Sequence, residues 1–258
     1  MEKVRSQDGT LIAYHRSGEG PPLVLVHGAI ATHARWAAIT PALAQRYTVY
    51  AIDRRGRGES GDAESYAMAR EFEDVAAVVD AIGEGVNLLG HSFGALCALE
   101  AALLTPHVRR LVAYEPPPAP VPDGLMDRIQ AALDAGDREG ALITFLRELV
   151  RMPPHELERF RASPVFPLRV ATAHTIPREF RAAEAYQLEP ERFRHLHVPT
   201  LLLLGGDSPA FARTNVEQWR AALPDSRIVA LPGQQHIAMD TAPDLFVREV
   251  QAFLSEPS

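Results

Sequence analysis

Three observations make this chain an α/β protein. Short, largely apolar runs alternate with stretches of helical period, one run passes through Gly90-His91-Ser92-Phe93-Gly94 into a helix, and a proline-rich stretch breaks the rhythm after Glu115. The apolar runs are Leu11 to Tyr14, Leu23 to Val26, Thr48 to Ile52, Val86 to Leu89 and Val108 to Tyr114. Each is short enough for a strand and too apolar to keep a wet face, so buried, mostly parallel strands are expected. Between them, Phe72, Val75, Val78, Val79 and Ile82 recur at helical spacing with acidic residues opposite, and Ala95 to Leu104 is an almost wholly apolar helical stretch.

The break comes at Pro116-Pro117-Pro118-Ala119-Pro120-Val121-Pro122, which can continue neither a helix nor a central strand, because proline lacks the donor and fixes φ. Twelve of the 21 prolines lie between Pro116 and Pro199. The patterns between them, Leu125 to Leu133, Ala141 to Met152, Leu157 to Phe160 and Pro177 to Tyr186, predict short helices without strands. Residues 116–198 are therefore expected to form a helical cap inserted into a core made of 1–115 and 199–258. The sheet resumes with Thr200 to Leu204, followed by a helix near Asn215 to Leu223, a strand at Arg227 to Ala230 and an amphipathic helix from Pro243 to Leu254.

Composition narrows the function. With 258 residues the chain can bury a large core without cross-links, and at 47% hydrophobic and 23% charged it is not a disordered polymer. The net charge is −7 and the basic residues are scattered, which argues against nucleic acid or an anionic membrane surface and favours a small-molecule substrate. A lone cysteine, Cys97, cannot form an internal disulfide, and the first residues lack a secretory apolar run, so a cytoplasmic location is expected. Oligomeric state is not legible.

The chemistry centres on Ser92. A serine flanked by glycines two residues either side, between a strand and a helix, forms a sharp turn in which a Cβ at either glycine would collide with its neighbours. Serine is a weak nucleophile unless a base takes its proton, so a histidine held by a carboxylate is required farther along the chain. His236 lies in the loop after the strand Arg227 to Ala230, and Asp207 follows Thr200 to Leu204 through Gly205-Gly206. The expected triad is Ser92, Asp207 and His236. Glu115 also ends a strand and is the alternative acid, while Asp240 is placed to cap the final helix. For the oxyanion, the amide of Phe93 and the amide of Ala29, in the loop His27-Gly28-Ala29-Ile30, are the expected donors.

Together Leu23 to Ala29, Asp53-Arg54-Arg55-Gly56-Arg57-Gly58-Glu59-Ser60, Gly90 to Gly94, Leu203 to Asp207 and Gly233 to His236 resemble the α/β-hydrolase superfamily, in its small lidded branch of esterases, lactonases, C–C bond hydrolases and haloperoxidase-like enzymes. The resemblance implies an eight-stranded sheet with one antiparallel strand at its edge, a cap after the sixth strand, and hydrolysis through an acyl-enzyme on Ser92 with no metal or organic cofactor. The expected substrate is a small hydrophobic carboxylic ester or lactone. C–C bond hydrolysis, lyase or cyclase chemistry, and a non-catalytic ligand-binding role are the alternatives on the same fold.

Arg54, Arg55 and Arg57 around two glycines could bind phosphate, but a folded turn in which arginines satisfy nearby carbonyls and carboxylates is the reading adopted. Cys97, in an apolar helix, is taken as a small core residue. Ala29, Ile30 and Phe93 from the core, with Phe145 and Met152 from the cap, are the expected substrate-binding residues. His33 and Trp36 stand either at the pocket rim or, for Trp36, in the core.

Overall fold

A computed structural model describes residues 1–117 and 120–257; Pro118 and Ala119, inside the proline run, lie outside the described residues. Eight strands form one sheet: β1 Glu2–Arg5, β2 Leu11–Ser17, β3 Pro22–Val26, β4 Thr48–Ile52, β5 Val86–His91, β6 Val108–Tyr114, β7 Thr200–Gly205 and β8 Ser226–Leu231. Their spatial order is β1-β2-β4-β3-β5-β6-β7-β8. From β4 to β8 every pairing is parallel. The antiparallel strand expected at the edge lies one place inside it: β2 runs against both β1 and β4. The extra strand β1 is Glu-Lys-Val-Arg, mostly exposed, and an edge strand guarded by charge carries no apolar run to announce it.

The longer helices are α1 Met68–Ile82, α2 Phe93–Ala101, α3 Leu125–Asp134, α4 Arg138–Glu148, α5 Pro154–Arg161, α6 Phe166–Thr172, α7 Ile176–Ala185, α8 Ala210–Ala222 and α9 Pro243–Leu254. Helix α1 buries Phe72, Val75, Val78 and Val79, as its period requires. In α2 every residue is buried, Cys97 included, which is why its sequence shows no polar face. It stops at Ala101, three residues before the apolar stretch ends. Helix α6, which carries proline in its first turn, a position that tolerates a missing N–H, is not among the expected helices. No helix among the described residues is long and apolar enough to cross a membrane.

The chain divides into two compact units, one comprising 1–28, 32–117 and 187–258, the other 29–31 and 118–186. The inserted unit therefore ends at 186, not at the expected 198. Residues 187–198 belong with the sheet because Phe193 is fully buried there, edge-on to Trp219 at 5.1 Å. In the first unit Leu23, Leu25, Trp36, Tyr114, Leu203 and Phe246 share one core cluster. Trp36 is thus a core residue. In the second unit α3, α4 and α7 enclose Leu125, Ile129, Leu142, Phe145 and Ile176.

The arginine-rich segment after β4 is a brace. Arg54 makes a two-pronged pair with Glu71 at 2.8 and 3.0 Å, both side chains 1% exposed. Arg55 grips Asp74 at 2.6 and 2.7 Å and reaches Asp8 at 2.9 Å. Arg57 donates to the Arg55 carbonyl. These contacts tie the loop to α1 and occupy the guanidinium donors that a phosphate would need. Arg55→Met leaves Asp74 buried without its cation, and such a broken pair costs about 3–5 kcal/mol, which urea denaturation will report as a lowered midpoint.

Candidate active site

Strand β5 lies in the middle of the sheet with all six residues buried, and Ser92 is the first residue beyond it. Its φ of 54° is a conformation that a residue with a Cβ adopts only under constraint, at a cost of roughly 1–3 kcal/mol. The flanking glycines make the turn possible. A Cβ on Gly90 would stand 2.4 Å from the Gly94 carbonyl oxygen, and one on Gly94 would stand 2.2 Å from that of Val26. Helix α2 starts at Phe93, and the first N–H groups of a helix have no acceptor inside it.

Strands β5 and β6 are parallel neighbours in which His91 faces Tyr114. Ser92 and Glu115 therefore leave adjacent strands at the same edge, and the Ser92 amide donates to the Tyr114 carbonyl at 2.8 Å. Glu115 also has positive φ, 45°, although it precedes proline and is 4% exposed. Its carboxylate is filled on both oxygens. Oε1 accepts from the Gly205 amide at 2.7 Å and the Ser208 hydroxyl at 2.5 Å, and Oε2 meets His236 Nδ1 at 2.6 Å. Burial by itself would raise the pKa of Glu115, but the His236 hydrogen bond and charge, with the Ser208 and Gly205 donors, outweigh it and hold the group below its ordinary value.

The carboxylate expected on His236 was Asp207, and here the structure corrects the reading. Asp207 is exposed; only its backbone touches the histidine loop, its amide donating to the Gln234 carbonyl at 2.9 Å. Both acids end strands, so periodicity cannot choose between them. The choice lies at Gly205, which, without a Cβ, lies against the backbone of Gln234 and Gln235 and turns its amide onto Glu115. Asp240, expected as a helix cap, instead pairs with Arg35 at 2.7 Å, and α9 is preceded by Ala242.

The loop carrying His236 is held from below. His91 Nε2 lies 2.8 Å from the His236 carbonyl oxygen, the two rings are 4.6 Å apart, and Tyr114 donates its hydroxyl to the Gln235 carbonyl while accepting from the Ala238 amide. A carbonyl can only accept, so His91 carries its proton on Nε2. The sequence concealed these roles of His91 and Tyr114, since both resemble ordinary residues at a strand end.

Gly28 lies against the elbow: a Cβ there would stand 3.0 Å from Ser92 Cβ. The neighbouring His27 accepts the Arg54 amide on Nε2 at 3.1 Å, which places its proton on Nδ1, donating to the Gly28 carbonyl at 2.8 Å. Because a trans peptide is planar, the Ala29 N–H points away from that carbonyl. Phe93 is buried with the Arg54 guanidinium 4.3 Å from its ring centre. Of the other expected substrate-binding residues, Ile30, Phe145 and Met152 share the hydrophobic cluster of the second unit, to which Ala29 also belongs.

Among the described residues, His15, His33 and Asp53 bring their potential metal-ligand atoms within 4.8 Å of one another. The two imidazoles stack at 3.6 Å and 22°, so their in-plane lone pairs run side by side without converging on a point. Asp53 already accepts from the His33 amide at 2.7 Å, from His33 Nδ1 at 2.9 Å and from the Glu59 amide at 3.1 Å. The cluster braces the loop after β3 against the turn after β4 and fits a metal poorly.

Comparison with known proteins agrees with the fold. Residues 23–249 match the Alpha/beta hydrolase family. The crystal structure of an alpha/beta hydrolase from Sphaerobacter thermophilus is similar with a TM-score of 0.87 at 38% identity, covering 98% of this chain and 100% of its own. Esterase RhEst1 from a Rhodococcus species has a TM-score of 0.77 at 28% identity, covering 100% and 99% of the two chains. The pimeloyl-[acyl-carrier protein] methyl ester esterase of Aeromonas hydrophila is 28% identical over 94% of this chain and 99% of its own. With a mostly parallel sheet, a strained serine between strand and helix, and a family match spanning most of its length, the chain belongs to the alpha/beta hydrolase family.

Proposed function

We propose that the protein is a serine hydrolase that cleaves a small hydrophobic carboxylic ester or lactone through an acyl-enzyme on Ser92. The contact between Glu115 and His236 Nδ1 carries this reading. With Nδ1 donating to an ionised carboxylate, the lone pair of the imidazole is on Nε2, where it can take the Ser92 proton. The alkoxide attacks the substrate carbonyl, and the amides of Phe93 and Ala29 donate to the resulting oxyanion. His236 returns its proton to the leaving alcohol, then activates the water that releases the acid and restores Ser92. Glu115 stays ionised throughout and holds the imidazolium that forms. The similarity to two esterases supports ester chemistry.

A fluorophosphonate probe tests the nucleophile directly. One equivalent is expected to bond covalently to wild type and none to Ser92→Ala, with the adduct located on residue 92 by peptide mass spectrometry. Labelling that persists in the variant would place the reactive group elsewhere.

A further inference from the structure

The loop proposed to supply the Ala29 amide is strained at its next residue. Ile30 has φ of 49°, a left-handed conformation that a β-branched side chain adopts only when its surroundings impose it. Two contacts impose it, both within the second unit. The side chain of Ile30 packs against the cluster of Leu125, Leu142, Phe145 and Ile176. Its carbonyl accepts a 2.6 Å hydrogen bond from Nη1 of Arg169, a residue of α6 that is 9% exposed. Residues 29–31 group with the inserted helices, although they begin only three residues beyond β3. Side chains thus anchor this loop on both sides of the Ala29–Ile30 peptide: His27 holds the carbonyl of the Gly28–Ala29 peptide before it, and Arg169 holds the carbonyl of the Ile30–Ala31 peptide after it.

We infer that Arg169 is a positioning residue for the oxyanion site, acting through the Ile30 carbonyl to hold the Ala29 amide in its donating orientation. The inference rests on the acyl-transfer reading above. A guanidinium suits the task because it stays protonated and donates along a fixed direction, so the loop keeps one conformation while the substrate's charge develops. An amide that must be reoriented during the reaction stabilises the transition state less, while ground-state binding through apolar contacts is hardly altered.

The test compares wild type with Arg169→Lys, Arg169→Gln and Arg169→Met, using p-nitrophenyl butyrate turnover and the affinity of an aliphatic trifluoromethyl ketone, which forms a tetrahedral adduct on serine. Arg169→Met is expected to lower kcat about 10- to 100-fold with KM changed less than about three-fold, and ketone affinity is expected to fall in parallel with kcat/KM across the three variants. Lysine, which keeps a cationic donor, is expected to retain most of the rate. Circular dichroism and Tm identify any variant that fails to fold, and Arg169→Lys and Arg169→Gln then carry the comparison. An unchanged kcat, a rise in KM alone, or a rate loss without loss of ketone affinity would overturn the inference. Wild type that the fluorophosphonate leaves unlabelled would instead overturn the acyl-transfer reading itself, and the inference with it.

Discussion

Glu115→Gln is expected to lower kcat for p-nitrophenyl esters about 10³- to 10⁴-fold, whereas Asp207→Asn should stay within about two-fold of wild type. The two substitutions remove the same charge from neighbouring strand ends, so their contrast isolates the contact with His236. Gln keeps the volume of Glu but offers an amide that can donate as well as accept, which permits the wrong imidazole tautomer and withdraws the charge that would stabilise the imidazolium. A large loss in Asp207→Asn with a small one in Glu115→Gln would return the role to Asp207.

The same contact makes stability depend on pH. Because the folded-state pKa of Glu115 lies below the ordinary 4.5, its ionised form stabilises the native state at pH values above that figure, and this contribution is lost as pH falls through the lowered folded value. Urea denaturation of wild type between pH 6 and pH 3 is expected to show the loss, and Glu115→Gln a flatter profile over that range.

Ser92→Ala and His236→Ala are each expected to lower kcat by about 10⁴- to 10⁶-fold, and the double variant by no more than the worse single one. Without the hydroxyl there is nothing for the imidazole to deprotonate, and without the imidazole the hydroxyl is too weak a nucleophile. Losses that multiply would mean that the two side chains act independently. His91 and Tyr114 should behave differently from both, since they hold the loop that carries His236 and touch no reacting atom in the proposed mechanism.

Much of this molecule is written in local pattern. Strands whose faces are both buried must be largely apolar, so β3, β4, β5 and β7 stand out as short apolar runs. The elbow is legible because a strained serine needs glycines at fixed offsets, and the arginine turn because its density of charge has to be neutralised by partners. Where the sequence misled, the signal was not local. The edge strand β1 buries little and so has no apolar signature, and residues 187–198 join the sheet unit through contacts distant in sequence, Phe193 against Trp219 and Arg192 paired with Glu100.

The acid shows the division most clearly. Order along the chain and position at a strand end admit both Glu115 and Asp207, because each is a carboxylate at the edge from which Ser92 emerges. What separates them is the direction in which each backbone turns after its strand. Glu115 leaves β6 with positive φ and is met by an amide, a hydroxyl and the His236 imidazole, whereas Asp207 leaves β7 into solvent. Neighbouring residues dictate periodicity, burial and turn chemistry, and these can be read along the chain. Which charged side chain meets which depends on contacts 121 residues apart between His236 and Glu115 and 139 apart between Arg169 and Ile30, and only the folded backbone brings those groups within hydrogen-bonding distance.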